Sequence, residues 1–229
     1  MARVVTKSNE KLSDVTETRR SYDEGCIAAH ALDLIGDRWA LLVVRELMLG
    51  PRRFGAVREG LPGISANILT RRLEDLEALG IIAREQLPDP VRVQLYKLTE
   101  AGHGLWPVLR ALCRWGAGMP GHDPRLFISP TALMLSMRAL CARDRAGEHQ
   151  VAMVLGADRF VISTAPGQFR VERGIADAAL RFEGGTNALA AAIYGPAPLL
   201  QSAQGMIRFD GDLVAGQAFV DLFALRPEG

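Results

Sequence analysis

Leucines recur at every third or fourth position from Leu69 to Leu79, and this spacing constrains the fold more than any other feature of the sequence. It predicts a helix with one face turned toward a core. Ser65 is a suitable N-cap for this helix, and Gly80 is a suitable residue to end it. A shorter helical pattern precedes it, and Pro62-Gly63 forms a tight turn between the two. The sequence therefore predicts a helix–turn–helix unit.

The segments around this unit add further helices and a hairpin. Two helices are predicted before it, over residues 26–35 and 38–49. Two short runs rich in branched residues follow it, 81–87 and 91–98, and the Pro-Asp-Pro turn between them predicts a hairpin. Thr99 then caps a last helix with a wide apolar stripe. The order of these elements is that of a winged helix–turn–helix domain.

The predicted second helix of the unit leaves polar side chains on the face opposite its leucines. In this architecture that helix lies in the major groove of DNA, where Asn can bind adenine and Arg can bind guanine. Two arginines at the start of the preceding helix are placed to hold phosphates, and one at the hairpin tip would contact the backbone or the minor groove. The candidate DNA-binding residues are Arg52, Arg53, Ser65, Ala66, Asn67, Thr70, Arg71 and Arg92.

Charge supports this interpretation only locally. The chain has 27 basic and 26 acidic residues, but residues 52–72 hold five arginines against the single acid Glu59. Such a stripe is typical of a small polyanion footprint, although a solvated helical face would look the same. A helical domain that binds protein is the alternative, and the hairpin together with the stripe favours DNA.

Several motifs resemble those of the HxlR-type bacterial transcriptional regulators over about residues 26–115. They are LDLIGDRW, RELMLGPRRF, LPGISANILTRRLEDLEALG and YKLTEAG. The resemblance implies a homodimer, joined largely through the first and last helices of this domain, on a near-palindromic operator. Two positions depart from the family pattern, since Ile27 stands where a Pro usually follows the Cys and Val93 where an Arg usually precedes the hairpin Tyr.

Some members of that family use the N-terminal Cys as a redox or electrophile sensor. Cys26 stands at a predicted helix start, which would lower the pKa of its thiol. A small buried cysteine is the commoner alternative. We expect Cys113 and Cys141 to be packed residues.

The second half of the chain has a different pattern. A helix is predicted over residues 130–142, followed by four alternating runs between 149 and 184 that predict an antiparallel meander. Two helices, a strand near 205–211 and a helix over 213–225 complete it. This half is therefore predicted to be an α+β layer with flanking helices.

The runs ALRFEGGTNALAAAIYG and GMIRFDGDLVAGQAFVDLFAL resemble the sterol-carrier-protein-like fold. The resemblance implies an apolar tunnel and hence an apolar small-molecule effector, although Met and Phe equally fill ordinary cores. The candidate effector-binding residues are Met134, Met137, Phe160, Ile162, Phe169, Leu189, Ile193, Phe219 and Phe223.

Enzymatic chemistry and membrane insertion find no support in the sequence. No nucleophile elbow, P-loop, dinucleotide fingerprint or HExxH run occurs, and the four histidines lie in separate segments without metal-ligand spacing. We expect no catalysis, no cofactor and no metal. The three cysteines, the polar N-terminus and an apolar stretch no longer than 132–142 predict a reduced, cytoplasmic protein without a membrane span.

These expectations combine into a two-domain regulator. The predicted divisions are a flexible arm over 1–24, a DNA-binding and dimerisation domain over 25–118, a Gly/Pro-rich linker over 119–128 and an effector domain over 129–229. The leading hypothesis is a transcriptional regulator gated by an apolar ligand. A constitutive regulator whose second domain serves dimerisation or protein contacts, and a lipid or small-molecule carrier, are the alternatives.

Overall fold

The computed structural model describes residues 21–86 and 93–223. The chain divides into two compact units, one ending at Trp106 and the other beginning at Pro107. The sequence placed the boundary later, near residue 120. The difference arises because the helix over 106–118, predicted as the last of the first domain, falls almost wholly in the second unit.

The first unit has the predicted order of a winged helix–turn–helix domain. Its helices are α1 (Ile27–Ile35), α2 (Ala40–Leu47), α3 (Phe54–Glu59), α4 (Ala66–Ala78) and α5 (Glu100–His103), and its strands are β1 (Ile82–Gln86) and β2 (Gln94–Leu98). The helix–turn–helix is α3 and α4, and the hairpin of the wing is β1 and β2.

The core of this unit lies under α4, as the leucine spacing predicts. Leu69, Leu73 and Leu76 are all buried. The strands β1 and β2 pair antiparallel, with Ile82 opposite Leu98. The backbone of Arg52 adds a further bridge to Tyr96, which ties the segment before α3 to the wing.

A cap at the end of the wing fixes the hairpin against α4. The Thr99 hydroxyl donates to the Gly80 carbonyl at 2.6 Å and accepts from the Gly102 N–H at 3.2 Å. A Cβ on Gly102 would lie 2.2 Å from the carbonyl oxygen of Ile81. The TEAG sequence therefore contains a capping threonine and a glycine that permits close backbone approach.

The first and last predicted helices of this domain bury less apolar surface than the sequence suggests. Ile27, on α1, is 86% exposed. The last predicted helix is broken after His103, and its main part is α6 (Trp106–Gly118) in the second unit. Of the apolar stripe expected there, Leu109 is buried but Leu112 and Trp115 are exposed.

The second unit is an α+β layer. After α6 it contains helices α7 (Pro130–Leu140), α8 (Thr186–Tyr194), α9 (Leu199–Ala203) and α10 (Leu213–Val220), and strands β3 (His149–Leu155), β4 (Asp158–Ala165), β5 (Gln168–Arg173), β6 (Leu180–Gly184) and β7 (Arg208–Asp210). Every helix and strand predicted for this half is present, although the last helix ends at Val220 and residues 224–225 of its predicted range lie outside the described residues.

The sheet topology differs from the predicted antiparallel meander. The strand order is β5-β4-β3-β6-β7, and β6 pairs with β3 in parallel instead of following β5 at the edge. The reason lies in β3, where residues 151–155 are buried on both faces. Such a continuous apolar run suits a central strand, and β6 covers the edge that a simple meander would leave open. The other three pairings are antiparallel.

The core of the second unit lies between one face of this sheet and the helices. The predicted effector-binding residues are all buried there: Met134, Met137, Phe160, Ile162, Phe169, Leu189, Ile193, Phe219 and Phe223. The opposite face of the sheet carries charged side chains, including Arg170, Glu172 and Arg181.

Candidate nucleic-acid interface

The exposed face of α4 carries side chains that the sequence predicts to contact base edges. The Ser65 hydroxyl accepts a hydrogen bond from the Ile68 N–H at 3.2 Å and so caps the helix. Asn67, Thr70 and Arg71 are exposed on its first two turns, as expected, whereas Ala66 is half-buried. The first turns of α4 thus present an amide, a hydroxyl and a guanidinium to solvent, all of which can bond to base edges.

The basic stripe of residues 52–72 divides into two groups. Arg53, Arg58 and Arg71 are exposed. Arg72 instead pairs with Asp37 and with Asp75, its Nη1 lying 3.0 Å from the Asp75 Oδ2. The stripe therefore supplies three surface cations, and Arg72 holds α4 to the segment before α2.

Arg52 corrects a sequence expectation. It was expected to hold a phosphate, but its side chain is only 11% exposed and its Nη1 lies 3.0 Å from Oε2 of Glu46. Glu46 is fully buried, and its other oxygen accepts from Arg45 at 2.9 Å. A buried carboxylate needs charged partners. Arg52 is therefore an interior residue that pairs with Glu46, and the expectation of a phosphate contact was wrong. Glu46 was missed by sequence reasoning, although an acid inside the apolar run of α2 was a signal for it.

A glycine makes room for this carboxylate. Gly60, at the end of α3, is buried, and a Cβ there would lie 2.3 Å from Oε2 of Glu46. Arg45 also donates to the Gly60 carbonyl at 3.1 Å. The Glu46 cluster, defined as Glu46 with Arg45 and Arg52, therefore fixes α2 against the end of α3, directly before the turn into α4.

The wing is described only at its base. Arg92, expected at the hairpin tip, lies outside the described residues, and Val93 is half-buried. Along the strands, Arg84 pairs with Glu77 at 2.8 Å and Lys97 with Glu85 at 2.9 Å. The first of these pairs links β1 to α4.

A reactive thiol needs exposure and a lowered pKa, and Cys26 has both. It is exposed, and it occupies the N-cap position of α1. The backbone N–H groups of Ala29 and Ala28 lower the pKa of its thiol below the usual value, although the sulfur makes no capping hydrogen bond. Cys141 is the opposite case, because burial raises the pKa of its thiol to about 11. Cys113 is half-buried.

Within residues 21–86 and 93–223, no three metal-ligating side chains come together, and no helix is long and apolar enough to cross a membrane. In the second unit, an open cleft of about 420 Å³ lies on the charged face of the sheet, beside Ser163, Gln168 and Arg170. The predicted effector-binding residues face the other way, into the core.

The amino-acid sequence matches the family described as HxlR-like helix-turn-helix over residues 34–123. An uncharacterised helix-turn-helix-type transcriptional regulator of Synechocystis is 44% identical over 93 residues, which are 40% of this chain and 68% of that protein. YvaP of Bacillus subtilis, also an uncharacterised regulator, is 37% identical over 86 residues, or 37% of this chain and 79% of YvaP.

A third relative is the transcriptional regulator YodB of Bacillus subtilis, 42% identical over 86 residues, or 37% of this chain and 76% of YodB. Its reduced form has been solved, with 35% identity over 43% of this chain and all of that one, and a TM-score of 0.39. A quinone-bound form has also been solved, with 34% identity over 40% of this chain and 97% of that one, and a TM-score of 0.35.

The family match lies within residues 34–123, and the names of the relatives are those of transcriptional regulators. From α2 to α6 the matched residues include the Glu46 cluster, the exposed face of α4 and the wing. The chain belongs to the HxlR-like family of helix-turn-helix transcriptional regulators.

Proposed function

We propose that the protein is a homodimeric transcriptional regulator that binds a near-palindromic operator through α4 and responds to a small molecule through its second unit. The exposed face of α4 carries the first part of the proposal. Asn67, Thr70 and Arg71 project from a helix whose opposite face is fixed by buried leucines. Arg53 and Arg58, exposed on and beside α3, are the candidates for phosphate contacts.

Exposed apolar side chains support dimer formation. On α1, Ile27 and Leu32 are 86% and 51% exposed. On α6, Val108, Leu112 and Trp115 form a stripe at positions three and four apart and are 41%, 46% and 65% exposed. Stripes of this kind are typical of helices that pack against a partner. A symmetric dimer would then place its two α4 helices in half-sites about 10 base pairs apart.

Cys26 is a candidate redox or electrophile sensor. Its exposure and its position at the start of α1 favour a thiolate, which is the reactive form. YodB, a relative solved in reduced and quinone-bound forms, makes electrophiles a suitable class of test compound. The family match begins at residue 34, so Cys26 is proposed on its own local chemistry.

The second unit is the proposed ligand-binding part. Its single sheet, with helices over one face and a core rich in Met and Phe, supports a sterol-carrier-protein-like fold that accepts an apolar molecule. By linkage, a ligand that weakens DNA binding must itself bind the DNA complex less tightly, typically by about 1–3 kcal/mol. A constitutive regulator whose second unit only enlarges the dimer, or a carrier protein, would show no such coupling.

Selection from a random duplex library tests the proposal. We expect a recovered site with two-fold symmetry, two protomers per duplex by native mass spectrometry, and an affinity that falls steeply with salt. Recovery of no preferred sequence would contradict operator binding. One protomer per duplex would contradict the dimer. A denatured organic extract of the purified protein, run beside it, tests for a bound apolar molecule.

A further inference from the structure

One large apolar side chain is exposed on a surface of the winged-helix unit that is otherwise polar. Ile68, on the first turn of α4, is 44% exposed. Among residues 36–86 and 93–107, which the structure describes, no other large apolar side chain is exposed. Its neighbours along the helix surface include Asn67 and Arg71, the side chains proposed to contact bases. An apolar group therefore lies within the proposed DNA-binding face.

Packing inside the unit does not account for this side chain. Ile68 precedes the buried Leu69 by one residue, so it lies about 100° from Leu69 around the helix axis. A β-branched residue also favours a helix less than the long polar residues that suit an exposed position. Single exposed apolar side chains are common on protein surfaces. What distinguishes Ile68 is its place on the face proposed to enter the major groove.

The backbone and the side chain of Ile68 are both restricted. Its N–H donates to the Ser65 hydroxyl at 3.2 Å, which is the N-cap bond of α4. The next residue, Leu69, is fully buried in the core. A β-branched side chain in a helix also has one strongly preferred χ1 rotamer. A contact made by Ile68 would therefore cost little conformational entropy.

The major groove of DNA displays one apolar group, the C5-methyl of thymine, among hydrogen-bond donors and acceptors. The amide of Asn67 and the guanidinium of Arg71 suit the donors and acceptors, whereas an apolar side chain suits the methyl group. We propose that Ile68 contacts the C5-methyl group of a thymine in each half-site and so selects thymine over cytosine. This inference rests on the proposed function of α4. Thr70 also carries a methyl group, but two residues place it about 200° from Ile68 around the helix axis.

Helix geometry predicts where this thymine lies. Arg71 follows Ile68 by three residues and is therefore about 4.5 Å further along the helix axis. Successive base pairs are about 3.4 Å apart. We expect the thymine within two base pairs of the one that Arg71 contacts.

Deoxyuridine substitution in the selected operator tests the contact, because uracil lacks only the methyl group of thymine. Each thymine of a half-site is replaced in turn, and fluorescence anisotropy gives the Kd of the full chain for each duplex. At one position we expect the wild-type protein to bind about three- to fivefold more weakly, the effect of losing one buried methyl group. Ile68→Ala should bind the thymine operator more weakly by at least that factor, and uracil at that position should weaken its binding no further. Ile175→Ala, at an exposed position between β5 and β6, should respond as the wild type does.

The other outcomes separate this contact from operator binding itself. A recovered operator with no uracil-sensitive position within two base pairs of the Arg71 contact would overturn the contact and leave operator binding by α4 intact. A uracil effect that persists in Ile68→Ala would also overturn it and assign the methyl group to another side chain, such as Thr70. Recovery of no preferred sequence would contradict the proposed function and the contact together. If Ile68→Ala does not fold, Ile68→Gln replaces it.

Discussion

Glu46 and Arg52 form an ion pair in the interior of the winged-helix unit, with 3.0 Å between Oε2 and Nη1 and the glutamate side chain fully buried. Arg45 binds the other carboxylate oxygen. The motif RELMLGPRRF therefore contains a charged cluster that holds α2 to the segment before α3. The position of the turn into α4 depends on this cluster.

Replacing Glu46 should destabilise the protein strongly. Glu46→Gln removes the charge that two arginines share, and breaking a buried ion pair costs about 3–5 kcal/mol in the free energy of unfolding. Urea unfolding followed by circular dichroism measures it. Glu59→Gln is the control, because Glu59 is exposed on the neighbouring helix α3, and its effect should stay within about 0.5 kcal/mol. Equal stabilities of the two variants would disprove the structural role of the cluster.

Replacing Arg52 should lower the stability of the protein, whereas replacing the adjacent Arg53 should weaken its binding to DNA. Arg53→Ala removes an exposed cation, so binding to all sequences should weaken and the salt slope should fall by about 1. Arg52→Ala leaves Glu46 with one partner fewer, so it should lower the free energy of unfolding. Anisotropy titrations at several salt concentrations and urea unfolding of both variants compare the two effects. If Arg52→Ala weakened DNA binding and Arg53→Ala lowered the free energy of unfolding, Arg52 would be the phosphate contact after all.

Substitution by alanine should destabilise the protein at Gly102 and stabilise it at Gly116. Gly102→Ala would place a Cβ 2.2 Å from the Ile81 carbonyl, and overpacking of this kind costs about 1–3 kcal/mol. Gly116 lies within α6 with no atom within 4 Å of such a Cβ. Gly116→Ala should therefore stabilise the helix by about 0.5–1 kcal/mol. Thermal unfolding of the two variants measures both changes in stability. An unchanged stability of Gly102→Ala would contradict the close backbone approach at the base of the wing.

The cysteines should differ in reactivity and in pH dependence. Because its pKa is lowered, a larger fraction of Cys26 is thiolate at neutral pH, and its alkylation should approach its maximum rate at lower pH than that of an ordinary thiol. Cys141 has a buried side chain and a pKa of about 11, so it should stay unlabelled in the native state at neutral pH. Iodoacetamide labelling mapped by mass spectrometry follows each site. Faster labelling of Cys141 than of Cys26 would refute this order.

The order of elements could be predicted because local patterns determine most of it. The leucines of α4, the Ser65 cap and the Pro-Asp-Pro turn each act within a few residues, and the helices and strands follow from them. The exposure of Asn67 and Arg71 follows from the same periodicity. The role of Arg52 could not be derived this way, because it depends on a carboxylate six residues away that only the folded chain brings into contact.

The strand order of the second unit is another feature that could not be predicted from local sequence patterns. Short turns predicted a meander, and β3 to β5 form one. The next strand crosses to the far side of β3, because the run 151–155 needs neighbours on both edges. Pairing between distant strands is decided by burial across the whole sheet, which the turn residues at 174–179 do not encode.

The affinity of Arg71→Ala for the selected operator tests the central claim, that α4 contacts base edges, most directly. We expect a loss of about 1–3 kcal/mol, or roughly 5- to 150-fold in Kd, with relaxed specificity at one base pair per half-site. Arg170→Ala removes the same charge from an exposed strand of the second unit and should bind as the wild type does. Equal affinity of the two variants, with unchanged base preference, would contradict the account.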